Sequence, residues 1–91
     1  TFFFFFFLAE ELKNQGNKAF TSGNFTEAVR LFGEAIALDP SNHVFYSNRS
    51  GAYASLKDYV NALSDAEKCV SLNGTWAKVR FPFLFPPAAV C

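Results

Sequence analysis

The chain repeats its own pattern at an interval of 34 residues, and that interval dictates how such a molecule is built. With one frame opened at Ala9 and the next at His43, the apolar and small positions coincide: Leu12 with Tyr46, Gly16 with Ser50, Phe25 with Tyr59, Ala28 with Ala62. The register continues through Ala35 with Cys69, Ile36 with Val70 and Leu38 with Leu72. Each unit carries two short helical patterns joined by a turn. No such unit buries its apolar face unaided, so neighbours stack to make the core. The expected fold is all-α: antiparallel helical hairpins, two of them complete, stacked as a right-handed solenoid with the third repeat truncated. Surfaces built this way are long and curved and hold another protein, so the period favours binding over catalysis.

Turn and cap signals divide the units. A first helix is expected over 9–21, with Leu12, Gly16, Ala19 and Phe20 on its packing face. Ser22-Gly23-Asn24 forms a turn, and Asn24 with Glu27 three residues later looks like a capping box opening the second helix. That helix packs Phe25, Ala28, Val29, Phe32, Ala35 and Ile36 at i, i+3, i+4 spacing. It stops at Leu38-Asp39-Pro40, because the residue before a proline is pushed out of the α region. Ser41 or Asn42 caps a third helix running to about Leu56, with Tyr46, Ser50 and Tyr53 inward. Asp58 caps a fourth, with Tyr59, Ala62, Leu63, Ala66, Cys69 and Val70 inward. At the smallest of these positions two helices can approach closely.

Composition marks the ends as different. Of 13 phenylalanines, six are consecutive from Phe2 to Phe7 and three more are Phe81, Phe83 and Phe85. The expected organisation is a Phe-rich extension over 1–8, repeats over 9–42 and 43–76, and a broken start of a third repeat with a Pro/Phe-rich tail over 77–91. Pro82 falls near the first full turn of that third unit, and Pro86-Pro87 forbid its continuation. The Phe run has no helical amphipathicity, is too short to span a bilayer, and forms a β-prone, uncharged segment. Two readings of the ends stand side by side. One is a hydrophobic staple or anchor on the first helix, with self-association through the Phe-rich ends. The other is translated non-coding sequence, since a pyrimidine-rich tract encodes runs of Phe and Leu.

The formal net charge is zero, which gives no footprint for nucleic acid or for an anionic membrane. The distribution is uneven. Arg49, Lys57, Lys78 and Arg80 fall on the second and third A-type segments without an acid among them. The B-type segments carry Glu27, Glu34 and Asp39 against Arg30, then Asp58, Asp65 and Glu67 against Lys68, the last three acids on an outward face. In a helical-hairpin solenoid the A helices line the inner curve, so a basic inner face suggests an acidic ligand. Two cysteines do not make a disulfide framework, and Cys69 at a small packing position reads as a core thiol. His43 is the only histidine, with no second ligand at metal-binding spacing. Ser22, Ser47 and Ser50 have no base arranged beside them, and no glycine-rich phosphate loop is present. The expectation is an intracellular binding protein that performs no reaction and takes no cofactor or metal.

The polar residues of the inner face form a set. Lys13 and Asn17 are i, i+4 on the first helix, one above the other. Asn48 projects into the same groove one repeat later, and Lys78 opens the third segment beside it. Two ammonium groups and two amides suit the binding of two carboxylates by charge-assisted hydrogen bonds, the amides also fixing peptide backbone. Lys13 or Lys78 alone would read as a solvated surface lysine; their joint placement with both asparagines favours the clamp. Arg49 is expected to pair with acids on the adjacent helix, and Tyr46 and Trp76 to pack.

The stretch Glu11-Leu12-Lys13-Asn14-Gln15-Gly16-Asn17-Lys18-Ala19-Phe20, with Tyr46-Ser47-Asn48-Arg49-Ser50 and Trp76-Ala77-Lys78, resembles the carboxylate-clamp class of tetratricopeptide domains. The likeness is strongest to those of heat-shock organising co-chaperones, and runs from Ala9 to Lys78. It implies binding to the C-terminal Glu-Glu-Val-Asp tails of heat-shock chaperones of the seventy- and ninety-kilodalton classes, and a cytoplasmic, also nuclear, location. By position it assigns clamp roles to Lys13, Asn17, Asn48 and Lys78. The family's fifth clamp residue is an arginine, and Pro82 stands in its place. Two other parents stay open: an enzyme, such as a phosphatase or ubiquitin ligase, that reaches chaperones through such a domain, and a truncated remnant with weak or no binding.

Overall fold

Four α-helices follow from the pattern in the computed structural model, which describes residues 2–73. They are α1 (Phe2–Thr21), α2 (Phe25–Leu38), α3 (His43–Ser55) and α4 (Tyr59–Leu72). No strand occurs among the described residues. Helices α1 and α2 form one hairpin, α3 and α4 the next, and α3 packs on both helices of the first. The expected third-repeat start, Trp76, Lys78, Arg80, Pro82 and the tail lie outside the described residues.

Helix α1 begins at Phe2, not near residue 9 as expected. No proline or glycine interrupts residues 2–8, and once Ala9 and the repeat hold the helix, each preceding residue adds one hydrogen bond without a new nucleation cost. The Phe run therefore extends α1 by about two turns. Its side chains find little to pack on: Phe3, Phe4, Phe5, Phe6 and Phe7 are all exposed. From Phe3 onward, the first fully buried residue of α1 is Ala9, where the repeat starts.

Both hairpin turns are built alike. The N–H of Gly23 donates to the Phe20 carbonyl at 3.0 Å and that of Asn24 to Ala19 at 2.8 Å. One period later, Lys57 donates to Ala54 at 2.9 Å and Asp58 to Tyr53 at 2.9 Å. Each pair of bonds satisfies the last carbonyls of an A helix and requires a left-handed residue at its apex. Gly23 takes it at φ 86° and Lys57 at φ 64°. Lys57 thus sits in the turn rather than on the second A-type segment to which the sequence pattern assigns it.

The next helix starts at once. Asn24 accepts from the Glu27 N–H at 3.3 Å, and Asp58 accepts from the Asn61 N–H at 3.4 Å. Only one arm of the expected capping box forms at Asn24, because its own N–H is already donated to Ala19. The Glu27 carboxylate turns to Arg30 instead, which also pairs with Glu34. The bond between repeats bends at Asp39-Pro40-Ser41-Asn42, and of the two cap candidates Asn42 serves, accepting from the Val44 N–H at 3.0 Å. The Tyr46 hydroxyl donates to the Pro40 carbonyl at 2.9 Å, tying that bend to α3.

The core runs along the helix seams. Ala19, Ala28, Leu31, Phe32 and Ala52 form one buried cluster, and Ala9, Ala35 and Phe45 another. A Cβ placed on Gly16 would stand 2.5 Å from the Phe32 ring, so α1 and α2 approach as closely as they do because Gly16 lacks one. At the equivalent site of the second hairpin the pair is reversed in size. Ser50 replaces the glycine, Ala66 replaces the ring, and the Ser50 hydroxyl donates to the Ala62 carbonyl at 2.7 Å. Cys69 is fully buried at its packing position.

The outer side of α4 departs from expectation. Tyr59, Leu63 and Val70 are exposed rather than inward, as is Val60. Their counterparts on α2 are covered by the neighbouring helices: Phe25 meets the Phe20 ring edge-on at 5.2 Å, and Val29 and Ile36 pack on the two core clusters. Ala54 stands where Phe20 would be, and among the described residues α4 packs on α3 alone.

Candidate functional site

The site is built on the two A helices. Ala9 of α1 and Phe45 of α3 share one buried cluster, while Ala19 of α1 and Ala52 of α3 share the other. The two helices therefore run alongside in the same direction, pinned near both ends of their contact. Lys13 and Asn17 lie between the pins on α1, and Asn48 lies between them on α3. An α-helix turns about 100° per residue. Asn48 and Arg49 accordingly fall on opposite flanks of the Phe45–Ala52 stripe.

Those flanks have different fates. Arg49 faces α4: its Nε donates to Asp65 Oδ2 at 2.7 Å and its terminal amine to Asp65 Oδ1 at 2.8 Å. Tyr46 and Tyr53 lie 6.0 and 5.8 Å from the guanidinium carbon. The hydrogen bond to Asp65 holds the Arg49 pKa above its ordinary value, against the opposing effect of burial. Arg49 is thus committed to the interior, and its charge is not offered to a ligand. The pairing with an acid of the adjacent helix is the expected one, but Asp65 is buried rather than on an outward face.

On the other flank stands Asn48, and α1 contributes Lys13 and Asn17. Asn17 is exposed and Asn48 half-buried. Among the described residues, neither side-chain amide has a hydrogen-bond partner. Lys13 is half-buried, and its ammonium lies 3.1 Å from the Glu10 carboxylate one turn earlier. Of the four residues read from the sequence, these three occupy neighbouring helices; the fourth, Lys78, lies outside the described residues. Glu10 was not singled out from the sequence, although its i, i+3 spacing to Lys13 was the available signal. Chemically, an ammonium and two side-chain amides are donors suited to carboxylate or peptide carbonyl oxygens. No group of three or more histidine, cysteine, aspartate or glutamate side chains suited to a metal ion occurs among the described residues. No helix among them is long and apolar enough to cross a membrane.

Residues 9–42 and 44–75 each match the family described as tetratricopeptide repeat. The chain is 56% identical over 71 residues to an Hsp70-Hsp90 organizing protein of Triticum aestivum, covering 78% of this chain and 12% of that protein. It is 54% identical over 71 residues to the heat shock protein sti1 homolog of Schizosaccharomyces pombe, again with 78% and 12% covered. The chain thus spans about an eighth of the length of these relatives. Among solved structures, the first TPR of Spaghetti (RPAP3) bound to the HSP90 peptide SRMEEVD superposes with a TM-score of 0.74 at 38% identity, covering 75% of this chain and 54% of that one.

Proposed function

The chain belongs to the tetratricopeptide-repeat family, and on that premise we propose that it is the chaperone-binding module of a co-chaperone, taking the acidic C-terminal Glu-Glu-Val-Asp tail of heat-shock chaperones. The observation that carries the proposal is that Lys13 and Asn17 of α1 and Asn48 of α3 stand on two helices that share both buried core clusters. The fold neighbour bound to a peptide ending in that tail supports it, as do the relatives named for organising two chaperones.

Lys13 supplies a charge-assisted hydrogen bond to a ligand carboxylate, and the Asn17 and Asn48 amides orient the terminal carboxylate and the backbone next to it. Lys78 joins the set by its place in the resemblance. Repeats 9–42 and 43–76 act as one unit in this reading, with 1–8 and 77–91 flanking it. The work is recognition rather than reaction, and its compartment is the cytoplasm.

The test is calorimetric titration of the chain with a peptide ending Glu-Glu-Val-Asp, beside a Lys13→Ala, Asn48→Ala double variant. Each charge-assisted bond contributes about 1.5–3 kcal/mol, so the double variant loses roughly a hundredfold or more in affinity. Binding by the parent also weakens with added salt. Equal binding by the two proteins, with helical circular dichroism unchanged, refutes the assignment.

A further inference from the structure

A carboxylate of the chain itself stands beside Lys13. Glu10 precedes Lys13 by three residues on α1, and its Oε1 lies 3.1 Å from the Lys13 ammonium. The Glu10 side chain is 36% exposed and that of Lys13 only 23%. Lys13 is therefore the more enclosed partner and Glu10 the more exposed one. Every other carboxylate of the first hairpin is engaged elsewhere or lies off this seam. Glu11 approaches Gln15, Glu27 and Glu34 pair with Arg30, and Asp39 receives contacts from Ser41 and Asn42.

We propose that Glu10 is a built-in competitor for the clamp: its carboxylate occupies Lys13 in the free chain and is displaced, at a cost in affinity, when an acidic peptide terminus binds. The inference rests on the clamp reading above and adds to it a residue that sets the strength of the site. Glu10 acts in two ways. It supplies Lys13 with an intramolecular partner whose local concentration exceeds that of any free peptide. It also places a negative charge beside the position a ligand carboxylate takes, and like charges at such a distance repel. The three N–H donors of an ammonium permit sharing, which limits the effect to a modest factor rather than a block. The chain thereby releases its partner more readily than the bare donor set would.

The experiment compares three single variants by calorimetry with the same Glu-Glu-Val-Asp peptide: Glu10→Gln, Glu11→Gln and Lys13→Ala. Glu10→Gln and Glu11→Gln remove the same charge from adjacent positions of α1, but Glu11 makes no ion pair with Lys13. Exposed ion pairs of this kind correspond to about a two- to fivefold effect, so Glu10→Gln tightens binding by about that factor. Glu11→Gln gives a clearly smaller change. Equal gains from both, or none from Glu10→Gln, overturn the competitor role while leaving the clamp standing, provided Lys13→Ala still weakens binding. A parent chain that binds no peptide, or one indifferent to Lys13→Ala, removes the clamp reading and the competitor with it. Circular dichroism of each variant confirms that α1 is intact.

Discussion

The Arg49 guanidinium grips the buried Asp65 carboxylate with two parallel hydrogen bonds, 2.7 and 2.8 Å long, and so locks α3 to α4. A Cβ built on Gly33 of α2 would stand 3.4 Å from the same guanidinium, so Arg49 also rests against the first hairpin. Asp65 is only 5% exposed. Removing one partner of such a pair strands the other. Arg49→Ala is expected to cost about 2–4 kcal/mol of unfolding free energy by urea denaturation. Arg49→Lys recovers only part of it, since an ammonium cannot reproduce the fork.

Gly16→Ala tests how tightly the first hairpin is packed. Alanine favours a helix interior over glycine by about 1 kcal/mol. Its Cβ would meet the Phe32 ring at 2.5 Å, and Phe32 is buried at 1% exposure in the core cluster. Overpacking wins, with a net loss of about 1–2 kcal/mol in chemical denaturation. The cost shrinks in a Phe32→Leu background, giving a non-additive cycle.

Lys57→Gly moves stability the other way. Lys57 holds a left-handed φ of 64° at the apex of the second hairpin, where the first hairpin has glycine at φ 86°. Relief of that conformation exceeds the added freedom of glycine in the unfolded chain, for a net gain of about 0.5–1 kcal/mol. A higher thermal midpoint with unchanged helical signal is the expected readout.

Glu27 carries a small pH signature. The Arg30 hydrogen bond, then its charge, holds the Glu27 carboxyl below its ordinary pKa. A depressed folded pKa means this contribution is present above the unfolded value and is lost as pH falls through the folded one. Carbon-detected NMR titration should show Glu27 protonating below the usual glutamate range. Arg30→Gln should return it toward that range.

The fold was legible because its signals are local and repeat. The matched small residues, the breaks at Gly23 and Pro40, and the caps Asn24, Asn42 and Asp58 each act within a few residues of their own position. The stack of two hairpins follows, since neither buries its apolar face alone. The start of α1 was misplaced for a related reason: the Phe run lacks a period of its own, and only attachment to a nucleated helix makes it helical.

For the proposed site, sequence supplies residue types and spacing and nothing finer. What Lys13, Asn17 and Asn48 can do depends on which neighbours are already spent, as Glu10 beside Lys13 shows. The sequence by itself determined the helices, their turns and the period that stacks them, because these rest on backbone preferences and residue size. Tertiary structure decided that Arg49 turns inward to Asp65 while Asn48 stays open, and that Tyr59 and Leu63 lie exposed where Phe25 and Val29 are covered. Pairing and burial are set by what stands across the seam, which lies sixteen residues away for Arg49 and Asp65, beyond the reach of any local pattern.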